Sequence, residues 1–101
     1  MIEVSVLVDK LNNMSCQEIL DYFRREGIQG HPEVETHCPI AMWIYRESGQ
    51  QVSVSDVIRL VNHNRQSLGQ YSLSESAMTF VCNFDQGLYP ELAMPFETYD
   101  E

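Results

Sequence analysis

One stretch near the middle of the chain, Pro39-Ile40-Ala41-Met42-Trp43-Ile44-Tyr45-Arg46-Glu47-Ser48, restricts the possible fold more than any other. Pro39 suits the first position of a helix, because the N–H it lacks is one that a helix never uses. Gly49 follows the last residue, where a left-handed backbone ends a helix at no steric cost. Between them Ile40, Ala41, Trp43, Ile44 and Tyr45 leave almost no polar face. This helix is therefore expected at the centre of the molecule, with the other elements around it. Trp43 reads as a core anchor in preference to a platform for a stacked ligand. A chain of 101 residues supports one hydrophobic core, so residues 1–101 are expected to form one domain, with 95–101 as a frayed acidic end.

Ser15-Cys16-Gln17-Glu18 has the form of a capping box, in which the Ser hydroxyl and the Glu carboxylate each satisfy the other residue's amide. Cys16, Ile19, Leu20 and Phe23 then recur at helical spacing. Arg24 and Arg25 suit the negative end of the helix, Gly27 suits its stop, and Ile28 suits the apolar clamp beyond it. A helix over about 15–26 follows. Residues 1–13 fit two patterns: Ile2, Val4, Val6 and Val8 alternate as in a strand, whereas Val4, Leu7, Val8 and Leu11 form a helical stripe. The helix carries the apolar pattern unbroken to residue 11 and is preferred.

Residues 29–37 hold Gly30, Pro32 and scattered polar groups and read as a loop. Gln51–Val54, Val57–Val61 and Gln70–Leu73 read as short strands, with turn chemistry at Asn62-His63-Asn64, although a helical Ser55–Val61 competes. Ser74 caps a further helix with the stripe Ala77, Phe80, Val81 and Phe84, stopped at Asp85-Gln86-Gly87. Leu88, Tyr89, Leu92 and Phe96 are expected to fold back on the core. The fold class is α+β: three to four helices packed with a small antiparallel β element.

Fifteen Asp and Glu against six Lys and Arg give a net charge of −9. That field repels phosphate backbones and anionic lipid surfaces, so direct nucleic-acid binding and membrane docking are not expected. No apolar run approaches the ~20 residues that span a bilayer, and the N-terminus lacks the basic segment of a signal peptide. Three cysteines, at 16, 38 and 82, form no paired spacing and read as free thiols in a cytoplasmic protein.

The segments CPIAMWI, QVSV and MTFVCNFDQGLYPEL resemble a group of short, uncharacterised bacterial and phage proteins. That group has a Cys-Pro-[Ile/Leu]-Ala helix start, a Val-x-Val strand and a Phe-Asp-x-Gly-x-Tyr-Pro ending. The matching positions are Cys38, Pro39, Ile40, Ala41, Val52, Val54, Phe84, Asp85, Gly87, Tyr89 and Pro90. The resemblance implies a shared fold with no assigned activity, and it leaves residues 55–72 without a counterpart.

No phosphate-binding, dinucleotide, zinc-protease or serine-hydrolase motif occurs. Cys38, at the N-cap of the central helix beside His37, is the candidate nucleophile, with helix amides to favour its thiolate. Neither a third orienting group nor an oxyanion hole is legible, and a thiol that merely caps the helix is the simpler reading. His31, His37, Cys38, His63 and Cys82 lack the spacing of a zinc site, so neither metal nor cofactor is expected. Glu33/Glu35 and Asp100/Glu101 read as solvated carboxylates. Asp85 reads as part of a helix stop that accepts a bond from a nearby amide.

The function expected is that of a non-catalytic acidic interaction or regulatory protein that binds a basic surface of a partner protein. Glu3, Asp9, Glu18, Asp21, Glu26, Glu33 and Glu35 are its contact residues. Its sharper form is a phage-type inhibitor that mimics nucleic-acid charge. The alternatives are a thiol-dependent enzyme or redox protein using Cys38, and a self-associating structural protein with a seam near Trp43 or Tyr89.

Overall fold

The computed structural model describes residues 2–61 and 67–93. Helix α1 spans Val4–Asn12 and buries Val4, Leu7, Val8 and Leu11, while Ile2 and Val6 face outward. The helical stripe thus wins over the alternating pattern, because the strand would have lined up Val6 with Val4 and Val8 on the core side. Helix α2, Cys16–Glu26, starts at the complete capping box: the Ser15 hydroxyl accepts from the Glu18 amide at 3.1 Å, and the Glu18 carboxylate accepts from the Ser15 amide at 2.8 Å. It ends in a Schellman motif in which Gly27 takes φ 71° and the Ile28 amide donates to the Phe23 carbonyl at 3.0 Å.

Helix α3, Pro39–Ser48, is the central element, with Trp43, Ile40 and Ile44 fully buried. The Trp43 ring lies 5.7 Å from Phe23 and meets Tyr22 edge-on at 5.8 Å, and Phe23 meets Phe80 edge-on at 5.5 Å. These edge-to-face pairs join α2, α3 and the fourth α-helix, α4 (Glu75–Asp85), around one core. Strands β1 (Val52–Val54), β2 (Val57–Val61) and β3 (Ser67–Ser72) form an antiparallel sheet in that order. The strand reading of 57–61 therefore holds over its helical competitor. Val54, Ile58 and Tyr71 stand opposite one another on the core face, and Ser53, Arg59 and Gln70 on the outer face. The Asn12 side chain ties the pieces together: it donates to the Ser72 carbonyl at 2.9 Å and accepts from the Ser74 amide at 2.8 Å.

One expectation about the core needs correction. Leu88 does not fold back: it is 59% exposed, because the residue it meets across the Schellman turn at Gly87 is the polar Asn83, where Ile28 meets Phe23, and Leu92 is the buried residue of this segment instead. The core stripe of α4 has Ala77, Phe80 and Phe84 buried, with Val81 partly buried and packed against them at its edge. The turn residues Asn62-His63-Asn64, Phe96 and the acidic end 95–101 lie outside the described residues.

Candidate functional site

Helix α4 carries two stripes. Ala77, Phe80 and Phe84 enter the core, while Met78, Val81, Cys82 and Asp85, at i, i+3, i+4 and i+7, follow a neighbouring face. That second face forms one wall of a cleft of about 410 Å³. The opposite walls are the loop residues Glu33, Val34 and Glu35 and the β1–β2 corner Val54, Ser55 and Asp56, with Cys38 at the base. The surface is mostly apolar, from Val34, Val54, Met78 and Val81. Glu33, Glu35, Asp56 and Asp85 line the same cleft, and among the described residues no Lys or Arg does.

The loop that supplies two of these carboxylates is pinned at several points. The His31 amide donates to the His37 carbonyl at 2.7 Å, and the Val54 amide donates to the Glu35 carbonyl at 2.9 Å. Asp85 accepts the Glu33 amide at 2.8 Å, and Glu35 accepts the Ser53 hydroxyl at 2.9 Å. Ser55 donates to Asp56 at 3.2 Å. Glu33 sits at φ 64°, a left-handed conformation that costs a non-glycine residue energy and is here held by the surrounding bonds. A carboxylate has about four acceptor sites. Glu35, Asp56 and Asp85 each use only part of that capacity, and among the described residues none of the four cleft carboxylates forms an ion pair with Lys or Arg.

The seven expected contact residues are thereby divided. Glu33 and Glu35 reach the cleft. Glu18 is engaged in the capping box, Asp21 lies 3.6 Å from Arg24, and Glu26 pairs with Arg46 at 3.0 Å. Glu3 precedes α1 and Asp9 lies on its exposed side, both away from the cleft lining. Asp56 and Asp85 belong to the cleft although sequence reasoning left them out. Four of the cations are engaged elsewhere: Arg24 bridges Asp21 and Glu91, Arg46 bridges Glu26 and Glu47, and Lys10 and Arg25 lie over the Tyr22 ring at 4.6 and 5.6 Å, while Arg59 is exposed on the outer face of the sheet.

Cys38 caps α3, its sulfur accepting the Ala41 amide at 3.5 Å. Burial pushes its thiol up to about 12, outweighing the helix amides that favour the thiolate. Its neighbour His37 meets the Thr36 hydroxyl at 2.9 Å, and the His31 and His37 rings lie 6.2 Å apart. Among the described residues no group of three or more His, Cys, Asp or Glu is arranged to hold a metal ion, and His63 lies outside them. No helix is long and apolar enough to cross a membrane, among the described residues. Comparison with protein-family models, with curated proteins and with solved structures finds no match.

Proposed function

We propose that this chain is a non-catalytic acidic interaction protein that binds a basic surface of a partner protein. The observation that carries the reading is the separation of charge. On α2 and α3 the carboxylates Asp21, Glu26 and Glu47 are matched by Arg24 and Arg46, while the four carboxylates of the α4 cleft have no such match among the described residues. A cleft lined by one sign of charge over low-dielectric walls concentrates its field and draws in groups of the opposite sign. The contact set of this reading is accordingly centred on Glu33, Glu35, Asp56 and Asp85, with Glu3 and Asp9 contributing at longer range. A nucleic-acid-mimicking inhibitor is its sharper form, in which the partner's groove normally holds nucleic acid.

The test is capture of partners from host lysate on immobilised protein at low salt, followed by a salt gradient. A specific partner with a basic surface, released by salt and not retained by a Glu33→Lys/Glu35→Lys variant, is the expected outcome. Release by added nucleic acid selects the mimic form. Partners that resist salt, or that the variant retains equally, overturn the reading.

A further inference from the structure

We propose that the cleft beside α4 is a docking groove for a short partner-protein segment bearing one bulky apolar side chain flanked by Lys or Arg. The inference rests on the reading of the chain as an acidic interaction protein and specifies what that protein grips.

Two features of the cleft, of different chemical kind, converge on this occupant. The first is the floor. Met78 and Val81 form a half-buried stripe on α4 that packs against the core on one side and lines the cleft on the other, and Val34 continues it across the cleft above the buried Val54. The volume of about 410 Å³ lies in the range of pockets that enclose a ligand. An apolar side chain seated there removes both surfaces from water, at about 25 cal/mol for each Å² buried. The second is the rim, where Glu33, Glu35, Asp56 and Asp85 retain acceptor capacity for the donors of Arg or Lys.

The combination selects among cationic ligands. A polyamine carries an ammonium every few methylenes and would bring charge onto the floor. A polyanion is repelled by the rim. A second copy of this chain is poorly supplied with cations for such a rim: Arg24 and Arg46 are held in ion pairs and Lys10 and Arg25 lie on Tyr22, which leaves Arg59, alone on the outer face of the sheet, among the described residues. A segment with an apolar residue between basic ones satisfies floor and rim together, and charge flanking an apolar anchor is a common way for a small groove to gain both affinity and register.

The experiment uses the full chain and three probes: a fluorescein-labelled peptide with one Leu between Arg pairs, the same peptide with Leu→Ser, and spermidine. Binding is followed by anisotropy at low salt and mapped by backbone amide shifts. The Leu peptide should bind about tenfold or more tighter than the Ser peptide, with shifts confined to residues 33–35, 54–56 and 78–85. Glu33→Gln with Asp56→Asn should weaken it about tenfold, and Met78→Gln about threefold, with circular dichroism unchanged. Equal binding of the two peptides, equally tight binding of spermidine, shifts elsewhere or no binding overturns the groove. So does concentration-dependent dimerisation lost in the cleft variants, which identifies the occupant as a second copy. If the groove fails while the salt-released partner is still captured, the acidic-interaction reading survives; if that capture fails as well, both fall.

Discussion

The carboxylate of Asp85 accepts the backbone N–H of Glu33 at 2.8 Å, joining the end of α4 to a loop 52 residues earlier. The bond holds Glu33 at φ 64° and so fixes one rim of the cleft. Removing it in Asp85→Ala leaves an amide to water and a strained residue without support, at a cost of about 1 kcal/mol. Asp85→Asn, which keeps an acceptor oxygen, should lose less than half of that. Hydrogen exchange at the Glu33 amide is the readout: it should speed up in the alanine variant and stay protected in the asparagine variant. Equal protection in all three proteins would show that the loop is held by its other bonds alone.

Gly30 makes a different demand on the same loop. A Cβ built there would stand 2.4 Å from the His37 carbonyl oxygen and 2.6 Å from both the Cys38 carbonyl carbon and the Pro39 nitrogen, all backbone atoms that cannot rotate away. Its amide also donates to the Leu92 carbonyl at 2.9 Å, so any shift propagates to the turn at Pro90–Leu92. Gly30→Ala should therefore cost about 2–3 kcal/mol in urea denaturation. Gly87→Ala is the comparison: φ is 85° but no atom lies within 4 Å of the new Cβ, and the loss should stay near 1 kcal/mol. A reversed order would show that backbone strain, and not close approach, limits these turns.

The three thiols should separate cleanly by reactivity. Cys82 is exposed at the cleft wall, Cys16 is half-buried 3.2 Å from the Tyr89 hydroxyl, and Cys38 is buried with its thiol near pKa 12. At neutral pH a maleimide or iodoacetamide should label Cys82 first and Cys38 only through unfolding, because the thiolate is the reactive species. Peptide mapping by mass spectrometry after timed quenching gives the order. Rapid modification of Cys38 in the folded protein would favour the nucleophile or redox reading.

Much of the fold is written in local chemistry. Ser15 with Glu18, Gly27 with Ile28, Pro39 with Gly49, and Ser74 each mark a helix end through bonds made within a few residues, and those ends fall where expected. The first helix fits two periods, and only the run of the apolar pattern to Leu11 favours the helical one; packing shows why it holds, since Val4, Leu7, Val8 and Leu11 share a buried face and Val6 does not. The cleft is the opposite case. It joins 33–35, 54–56 and 78–85, whose separation along the chain hides their adjacency, and the bond expected between Asp85 and a nearby amide reaches across the fold instead. One signal was available. Met78, Val81, Cys82 and Asp85 repeat at helical spacing beside the core stripe, and a helix with two apolar stripes has one to offer to something else. Val81 conceals it, because the same side chain also packs against the core.

His31 supplies a pH dependence of known sign. The side chain is 3% exposed, and its pKa is held below the ordinary 6.5, first by burial and second by the neighbouring His37 ring. In the unfolded chain the ring gains its proton as the pH falls through 6.5; in the folded protein it resists. Its contribution to stability is therefore complete above 6.5 and is lost progressively below it, until the lower folded value is reached. Because His31 and His37 bracket Glu33 and Glu35, with the His31 amide bonded to the His37 carbonyl, the loss should be felt first in the loop that forms the cleft rim. Urea midpoints at about pH 7 and pH 5 should drop further for the parent chain than for His31→Gln, which has no proton to gain. The difference between the two proteins removes the carboxylate titrations common to both. Parallel losses would place the acid sensitivity of the fold elsewhere, in groups that both chains share.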